Sequence, residues 1–352
     1  MEKNKLQYGV DASGNGKSVN GKTEDGKTVS GENVSKETVV AITVTYNRTR
    51  TLEKCIDALL NQTRLVDYII IADNHSSAEE QEKIRKIAEK SEKIKLLFLD
   101  ENKGGAGGFE AGMREAKTLS PDWYWLMDDD AYPRKDCLEI LLNKGKELPD
   151  VGGLCPLIYG IDLKHYQLFH HKKLSRFMMK NSPVIRDEGQ LQAVTKEEAN
   201  AFVGPLFPGK IVEELGIADG SLFIYGDDTE YTRRVSKKHN LYLIRDAVID
   251  HQDAPVLDAN MTPAGWWKEY YCNRNQYFMI REFQENVAVR WLGYGLLTAR
   301  LMAIIVKSKL KGYHRLRSQL IIKAVKDGLA NKRGKVIDPG RYFAYLKEHN
   351  LS

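Results

Sequence analysis

The first sustained apolar segment begins at Val39. VVAITVTY is short, β-branched and almost unbroken, the pattern of a strand buried on both faces. Leu52, Ile56, Leu59 and Leu60 then recur at helical spacing, with Thr51 as the expected N-cap. A second strand, YIIIAD at 68–73, ends in the polar cluster Asn74-His75-Ser76-Ser77, and a charged helix over 79–92 leads to a third strand, KLLFLD at 95–100. A glycine-rich loop at 104–108 follows, then a helix from Phe109 and the strand WYWLM at 123–127. Strand and helix alternate, which predicts an α/β fold with a mostly parallel sheet covered on both faces. Ligands of such sheets bind beyond the carboxyl ends of the strands, so the polar residues there are the first candidates for chemistry.

Composition narrows the class. The chain has 352 residues, 42% hydrophobic and 29% charged, enough for a sizeable core and unlike a fibre or a disulfide-stapled miniature. Cys55, Cys137, Cys155 and Cys272 form no CxxC pair, so a reducing cytoplasm is expected, without structural zinc or a disulfide framework. The opening stretch has no apolar h-region, and no secretory signal is expected. Residues 1–37 are rich in Gly, Ser, Asn, Lys and Thr and poor in large apolar side chains, so a disordered low-complexity tail is expected.

Charge is unevenly spread. The net charge is +5, yet 287–335 carries twelve Lys/Arg against Asp327 alone, a local +11 that leaves the rest near −6. A basic end on a mildly acidic body suits a polyanionic partner.

Three consecutive carboxylates, Asp128-Asp129-Asp130, follow directly on an apolar strand. Adjacent acids repel and call for a compensating cation. In an extended chain Asp128 and Asp130 point the same way, which suits one hard divalent ion, whereas a solvated acidic turn is the bland alternative. The segment Asn102-Lys103-Gly104-Gly105-Ala106-Gly107-Gly108 reads as a loop whose backbone N–H groups approach a phosphate or sugar, or simply as a tight turn. It is neither a Walker loop nor a dinucleotide fingerprint. Further on, LFIYGDDTEYTRR (222–234) reads as an aromatic strand delivering Asp227 and Asp228 to a helix start, as a general base or as a cap. His251, at the exit of LYLIRDAVID, is a candidate third metal ligand or a structural histidine.

Taken in order, VTYNR (44–48), DNHSS (73–77), NKGGAGGF (102–109), WLMDDDA (125–131) and LFIYGDDTEYTRR (222–234) resemble family-2 inverting glycosyltransferases of the GT-A fold over about residues 38–282. The glycine loop, triple aspartate and downstream histidine look most like bacterial galactofuranosyltransferases, with rhamnosyltransferases next, and YYCNRN (270–275) is similar to both. The resemblance implies a GT-A domain over 38–282 and roles for individual residues. Thr45 and Asp73 match positions at the nucleotide base and ribose, and Asn102 with Gly104, Gly105, Gly107 and Gly108 matches the donor cradle. Asp128, Asp130 and His251 match the ligands of Mn²⁺ or Mg²⁺, with Asp129 beside them in substrate binding. Asp228 matches the general base that deprotonates the acceptor hydroxyl, and Asp227 stands where the family more often has Glu.

The chemistry agrees with these roles. Displacing a nucleoside diphosphate needs charge compensation on one side and a base on the other, hence acids on two segments. Trp266 and Trp267 offer a face for an acceptor sugar, or pack a core. Residues 283–352 form a basic helical region. Its apolar stretch, interrupted by Arg290 and Arg300, has no unbroken run of about 20 residues to span a bilayer. It reads as amphipathic helices on an anionic membrane surface, or as a helical pair packed on the catalytic domain or in a homo-oligomer. No nucleic-acid motif accompanies the charge.

The function that follows is metal-dependent transfer of galactofuranose from UDP-galactofuranose to a lipid-linked surface glycan, by a peripheral enzyme on the cytoplasmic face of the membrane. A rhamnosyltransferase using dTDP-rhamnose and a catalytically silent sugar-nucleotide-binding scaffold are the competing readings. A phosphohydrolase with a nucleophilic DxD lacks the Thr or Val expected where Ala131 and Tyr132 stand.

Overall fold

A computed structural model describes residues 37–252, 262–310 and 315–351. The expected tail, but for its last residue Glu37, lies outside the described residues. The first half winds as expected: β1 (Val39–Thr45), α1 (Thr49–Leu60), β2 (Tyr68–Asp73), α2 (Ala78–Ala88), β3 (Ile94–Phe98), α3 (Gly104–Lys117) and β4 (Trp123–Asp128). β1 pairs in parallel with β2 on one side and β4 on the other, and β2 with β3. The register sets Thr45 against Asp73 and Val44 against Asp128, so three polar strand ends share one sheet edge.

β1 is buried on both faces because alternate side chains serve two layers. Val39 and Ala41 pack with Leu52 and Ile56 of α1 and Ile84 of α2. Val40 and Ile42 pack with Phe109 and Met113 of α3.

The second half completes a mixed sheet. After β5 (Ala131–Pro133) and α4 (Cys137–Glu147) come β6 (Val151–Gly160) and β7 (His165–Tyr166). A small antiparallel sheet then intrudes, built from β8 (His171–Leu174), β9 (Asn181–Pro183) and, after β10 (Val194–Glu197), β11 (Ala199–Asn200). The chain returns through β12 (Leu206–Pro208), α5 (Gly209–Leu215), α6 (Asp227–Ser236) and β13 (Asn240–His251). The main order is β10-β13-β6-β12-β4-β1-β2-β3, with β12 antiparallel between β4 and β6.

Three local expectations are corrected. Thr51 lies inside α1, its hydroxyl bonded to the Arg48 carbonyl, and Arg48 holds the cap position. The glycines at 104–108 form the first turns of α3 rather than a loop before it. They let the helix press onto the sheet: a Cβ on Gly108 would stand 2.3 Å from Val44 Cγ1, and one on Gly112 would stand 2.5 Å from Ile42 Cγ2. The segment before Asp227 is no strand. A 3-10 turn at Gly220–Leu222 leads into a loop with Phe223, Tyr225 and Gly226 at positive φ. Its carbonyls are satisfied from a helix instead of a ladder, since Asn275 Nδ2 lies 3.0, 3.0 and 2.7 Å from the oxygens of Leu222, Ile224 and Tyr225.

That helix is α7 (Trp266–Phe283), and α8 (Val287–Leu310), α9 (Arg315–Leu329) and α10 (Pro339–Glu348) follow it. Tyr277 and Ile280 of α7 pack with Leu297 and Leu301 of α8 and Ile321 of α9. The amphipathic reading of α8 needs correction. It is one helix, apolar on both its packed and its open sides. Among the described residues, Val287–Ser308 is long and apolar enough to cross a membrane by length and composition, with mean hydropathy 1.4.

Candidate active site

β4 ends at Asp128, and the turn into β5 carries Asp129 and Asp130. β13 runs back antiparallel to β5 and pairs His251 with Ala131. His251 Nε2 thereby comes to 3.3 Å from Asp130 Oδ1. Asp128, Asp130 and His251 each offer a ligand atom, all within 4.8 Å of one another. Two carboxylates and an imidazole are a suitable donor set for a divalent ion such as Mn²⁺, so these residues fit the metal inferred from the sequence.

Asp129 also lines the adjoining cleft but stands outside this ligand set. Thr45 Oγ1 donates to its Oδ2 at 2.7 Å, and Arg48 Nη1 stands 3.1 Å from its Oδ1. The same guanidinium reaches Asp130 Oδ2 at 2.5 Å. Burial, then repulsion from Asp130 and Asp129, pushes the Asp128 carboxyl well above its usual range. Burial also lifts Asp129 to about 7 against the pull of Arg48. Partial burial would raise Asp130 as well, but His251 and Arg48 outweigh that and hold it at about 2. The centre therefore has more carboxylate than its own cations balance.

A cleft of about 670 Å³ opens beside these acids. Thr45, Asn102, Gly104, Gly105 and Trp267 line it, as do Arg48, Asn74 and His75, for which the sequence suggested no individual role. Asn102 Oδ1 accepts the Gly104 N–H at 2.9 Å, and Asn74 latches the same turn through Lys103 N and Gly104 O, both at 2.9 Å. Several site residues stand differently from expectation. Asp73 is buried and accepts the Ser76 N–H and Gln81 Nε2, so it shapes the turn that presents Asn74 and His75 rather than facing the cleft. Gly107 and Gly108 face Lys103 and Val44, because α3 has already begun and its packed side is theirs. The Trp pair divides: Trp267 borders the cleft, while Trp266 is buried among Tyr270, Tyr271 and Tyr342. From the far end of the chain, Lys335 and Phe343 close the cleft wall.

The second acidic pair borders a separate cavity of about 150 Å³. Gly226, at φ 90°, is the cap residue of α6, so Asp227 and Asp228 are its first helical residues. Both stand where the helix dipole favours negative charge. Asp228 lines the cavity and receives Lys172 Nζ at 2.6 Å and the Thr229 N–H at 2.6 Å. Asp227 is buried, and burial followed by the neighbouring Asp228 charge lifts it to about 7. Lys172 comes from the small sheet, in a stretch whose residue pattern carries no signal. Arg48 and Asn74, by contrast, stand inside the runs VTYNR and DNHSS.

The profile of Glycosyl transferase family 2 matches residues 40–203. The chain is 28% identical over 268 residues to galactofuranosyltransferase GlfT1 of Mycobacterium tuberculosis, covering 72% of this chain and 86% of that protein. Against galactofuranosyltransferase GlfT1 of Mycolicibacterium smegmatis the identity is 28% over 198 residues, 55% of this chain and 64% of the relative. Among solved structures, GalNAc-T7 with UDP, GalNAc and Mn²⁺ superposes with a TM-score of 0.53 at 15% identity. That match covers 69% of this chain and about half, 51%, of the other. The shared architecture is of the GT-A type.

Proposed function

This chain is a glycosyltransferase carrying a family-2 domain, and from that premise we propose that it transfers galactofuranose from UDP-galactofuranose, with inversion and metal dependence, to a lipid-linked surface glycan. The convergence of Asp128, which lines the cleft, with Asp130 and His251 carries the reading. These three would hold Mn²⁺ or Mg²⁺, which when bound offsets the charge growing on the departing nucleoside diphosphate. The cleft around Asn102, Gly105 and Trp267 receives the donor. Thr45, through Asp129, keeps the middle carboxylate turned away from the ligand set. Asp228 accepts the proton of the acceptor hydroxyl from the second cavity, and the adjacent Lys172 holds it in position. Likeness to mycobacterial galactofuranosyltransferases supports the choice of sugar. The open side of α8, with Val287, Trp291, Leu292 and Leu296 exposed, supports attachment to the cytoplasmic face of the membrane.

The test is a screen of nucleotide sugars with Mn²⁺ and a lipid-linked acceptor. UDP should be released from UDP-galactofuranose, while dTDP-rhamnose is spared. Asp130→Ala should lose both turnover and metal-dependent UDP binding. Preferential use of dTDP-rhamnose, or undiminished Mn²⁺-dependent UDP binding by the variant, overturns the reading.

A further inference from the structure

We propose that Gln167 is a positioning residue for the metal centre: its side-chain oxygen receives the His251 Nδ1–H and so turns Nε2, as the ligating nitrogen, toward the ion site. The inference rests on the metal reading above and extends it to a residue outside the ligand set.

Gln167 follows β7, and its backbone N–H is tied to the Ile158 carbonyl at 2.9 Å, which anchors it beside β6. The side chain is 1% exposed. Its Oε1 lies 2.9 Å from His251 Nδ1 and 2.9 Å from His170 Nε2, so one amide oxygen meets two imidazole nitrogens. An amide oxygen only accepts, and it has two lone pairs to offer. Both rings must then present N–H to it. With Nδ1 held as the donor, Nε2 is the nitrogen that can give up its proton to a metal ion, on the side where Asp130 Oδ1 stands 3.3 Å away. A histidine that ligates a metal through one nitrogen needs the other held as a donor, and a carbonyl or carboxylate oxygen is the usual partner.

His170 reinforces the arrangement. Its ring meets His251 edge-on, with centroids 5.5 Å apart. Two N–H groups on one oxygen restrain the amide against rotation. No pattern in the sequence around 167 marks the residue, because its partners come from β13 and from the turn after β7.

The test measures Mn²⁺ binding to the full chain in the presence of UDP, by the loss of the free-ion electron paramagnetic resonance signal. Gln167→Met keeps the volume but removes the oxygen, and should weaken Mn²⁺ binding about 10- to 100-fold. Gln167→Glu keeps an accepting oxygen and should bind within about threefold of the parent protein, or more tightly. That rescue by an acceptor is something a mere packing role would not produce. His251→Ala serves as the reference for loss of a ligand, and unfolding midpoints in chelator check that each variant is folded. Gln167→Met binding like the parent while His251→Ala is weakened overturns the inference and leaves the metal site intact. Equal weakening of the Met and Glu variants assigns Gln167 to packing and also overturns it. If the Met variant fails to fold, the Glu variant decides alone: folded protein with binding about tenfold weaker sinks the proposal. Unchanged binding by His251→Ala overturns the metal reading itself.

Discussion

Asp227 and Asp228 are adjacent in sequence and meet different surroundings. Asp228 borders a cavity and holds Lys172, whereas Asp227 is buried and pushed to about 7 from an ordinary 3.8. A raised carboxyl keeps its proton in the folded state at pH values where the unfolded chain has released it. Folding stability should therefore fall as pH rises from about 4 to about 7, with the full penalty present above that window. Asp227→Asn removes the titration. Its stability relative to the parent, measured by urea unfolding at pH 4.5 and pH 8, should improve at the higher pH by roughly 1–3 kcal/mol. A difference that stays constant across the window would mean that burial does not hold the proton on Asp227. Asp228→Asn tests the proposed reaction instead. It should cost roughly 10²–10⁴ in kcat with UDP-sugar affinity nearly intact, and Asp227→Asn should be milder. A dead Asp227 variant beside an active Asp228 variant would move the base by one residue.

At the scale of elements, α3 shows how the same glycines support two readings. As a string, GGAGGF suggests flexible backbone around a ligand. In the fold, Gly104 and Gly105 border the cleft, Gly104 also abuts the loop before α6, Gly107 packs on Lys103 and Gly108 on β1. Gly104 has φ +72°, and a Cβ there would stand 1.9 Å from the Phe223 carbonyl oxygen, which is backbone and cannot yield. Gly108 would press on Val44, while a Cβ on Gly105 meets nothing within 4 Å. Gly105→Ala should thus unfold in urea close to the parent, or up to about 1 kcal/mol more stably. Gly104→Ala and Gly108→Ala should each lose about 1–3 kcal/mol. Equal midpoints for all three variants would argue that α3 is not pressed against its neighbours as described.

Among the described residues, the cleft is shared by β1 and the C-terminal segment around Lys335 and Phe343. From residue 37 onward the described residues cluster as one compact unit, and the C-terminal chain is tied into it by buried polar side chains. Arg274 donates to the Gly334 carbonyl, and the Tyr271 hydroxyl receives the N–H groups of Val336 and Ile337. Part of the basic excess is used internally: Arg317 grips Glu269 at 2.8 and 2.9 Å, and Arg333 pairs with Asp219. Removing everything from Val287 onward would strip the cover from Tyr277 and Ile280, so substitutions on the open side of α8 are the better probe of membrane binding. Trp291 and Leu292 are 65% and 49% exposed. Changing both to Glu should reduce co-sedimentation with anionic vesicles while turnover on a water-soluble acceptor is kept, and parent binding should weaken as salt rises. Co-sedimentation unaffected by the double change or by salt would favour a packing role for that face.

Local pattern was enough for the first half of the fold and for the acids. A strand buried on both sides is apolar at most positions, and ligand-facing polar residues gather where parallel strands end. VVAITVTY, YIIIAD and WYWLMDDD therefore reveal both the layers and the candidate metal centre, and His251 is legible as the polar end of β13. What the pattern could not reveal depends on partners distant along the chain. The loop at 222–226 looks like a strand until Asn275 is seen meeting its carbonyls. Asp73 looks like a ligand contact until Ser76 and Gln81 are seen to engage it. Arg48, Lys172 and Gln167 acquire roles only through contacts made 82, 56 and 84 residues away. Hydrophobic periodicity reports which face of an element is dry. A hydrogen bond between two polar side chains leaves no periodic trace, so only the tertiary structure decides which polar groups face the cleft and which hold it in shape.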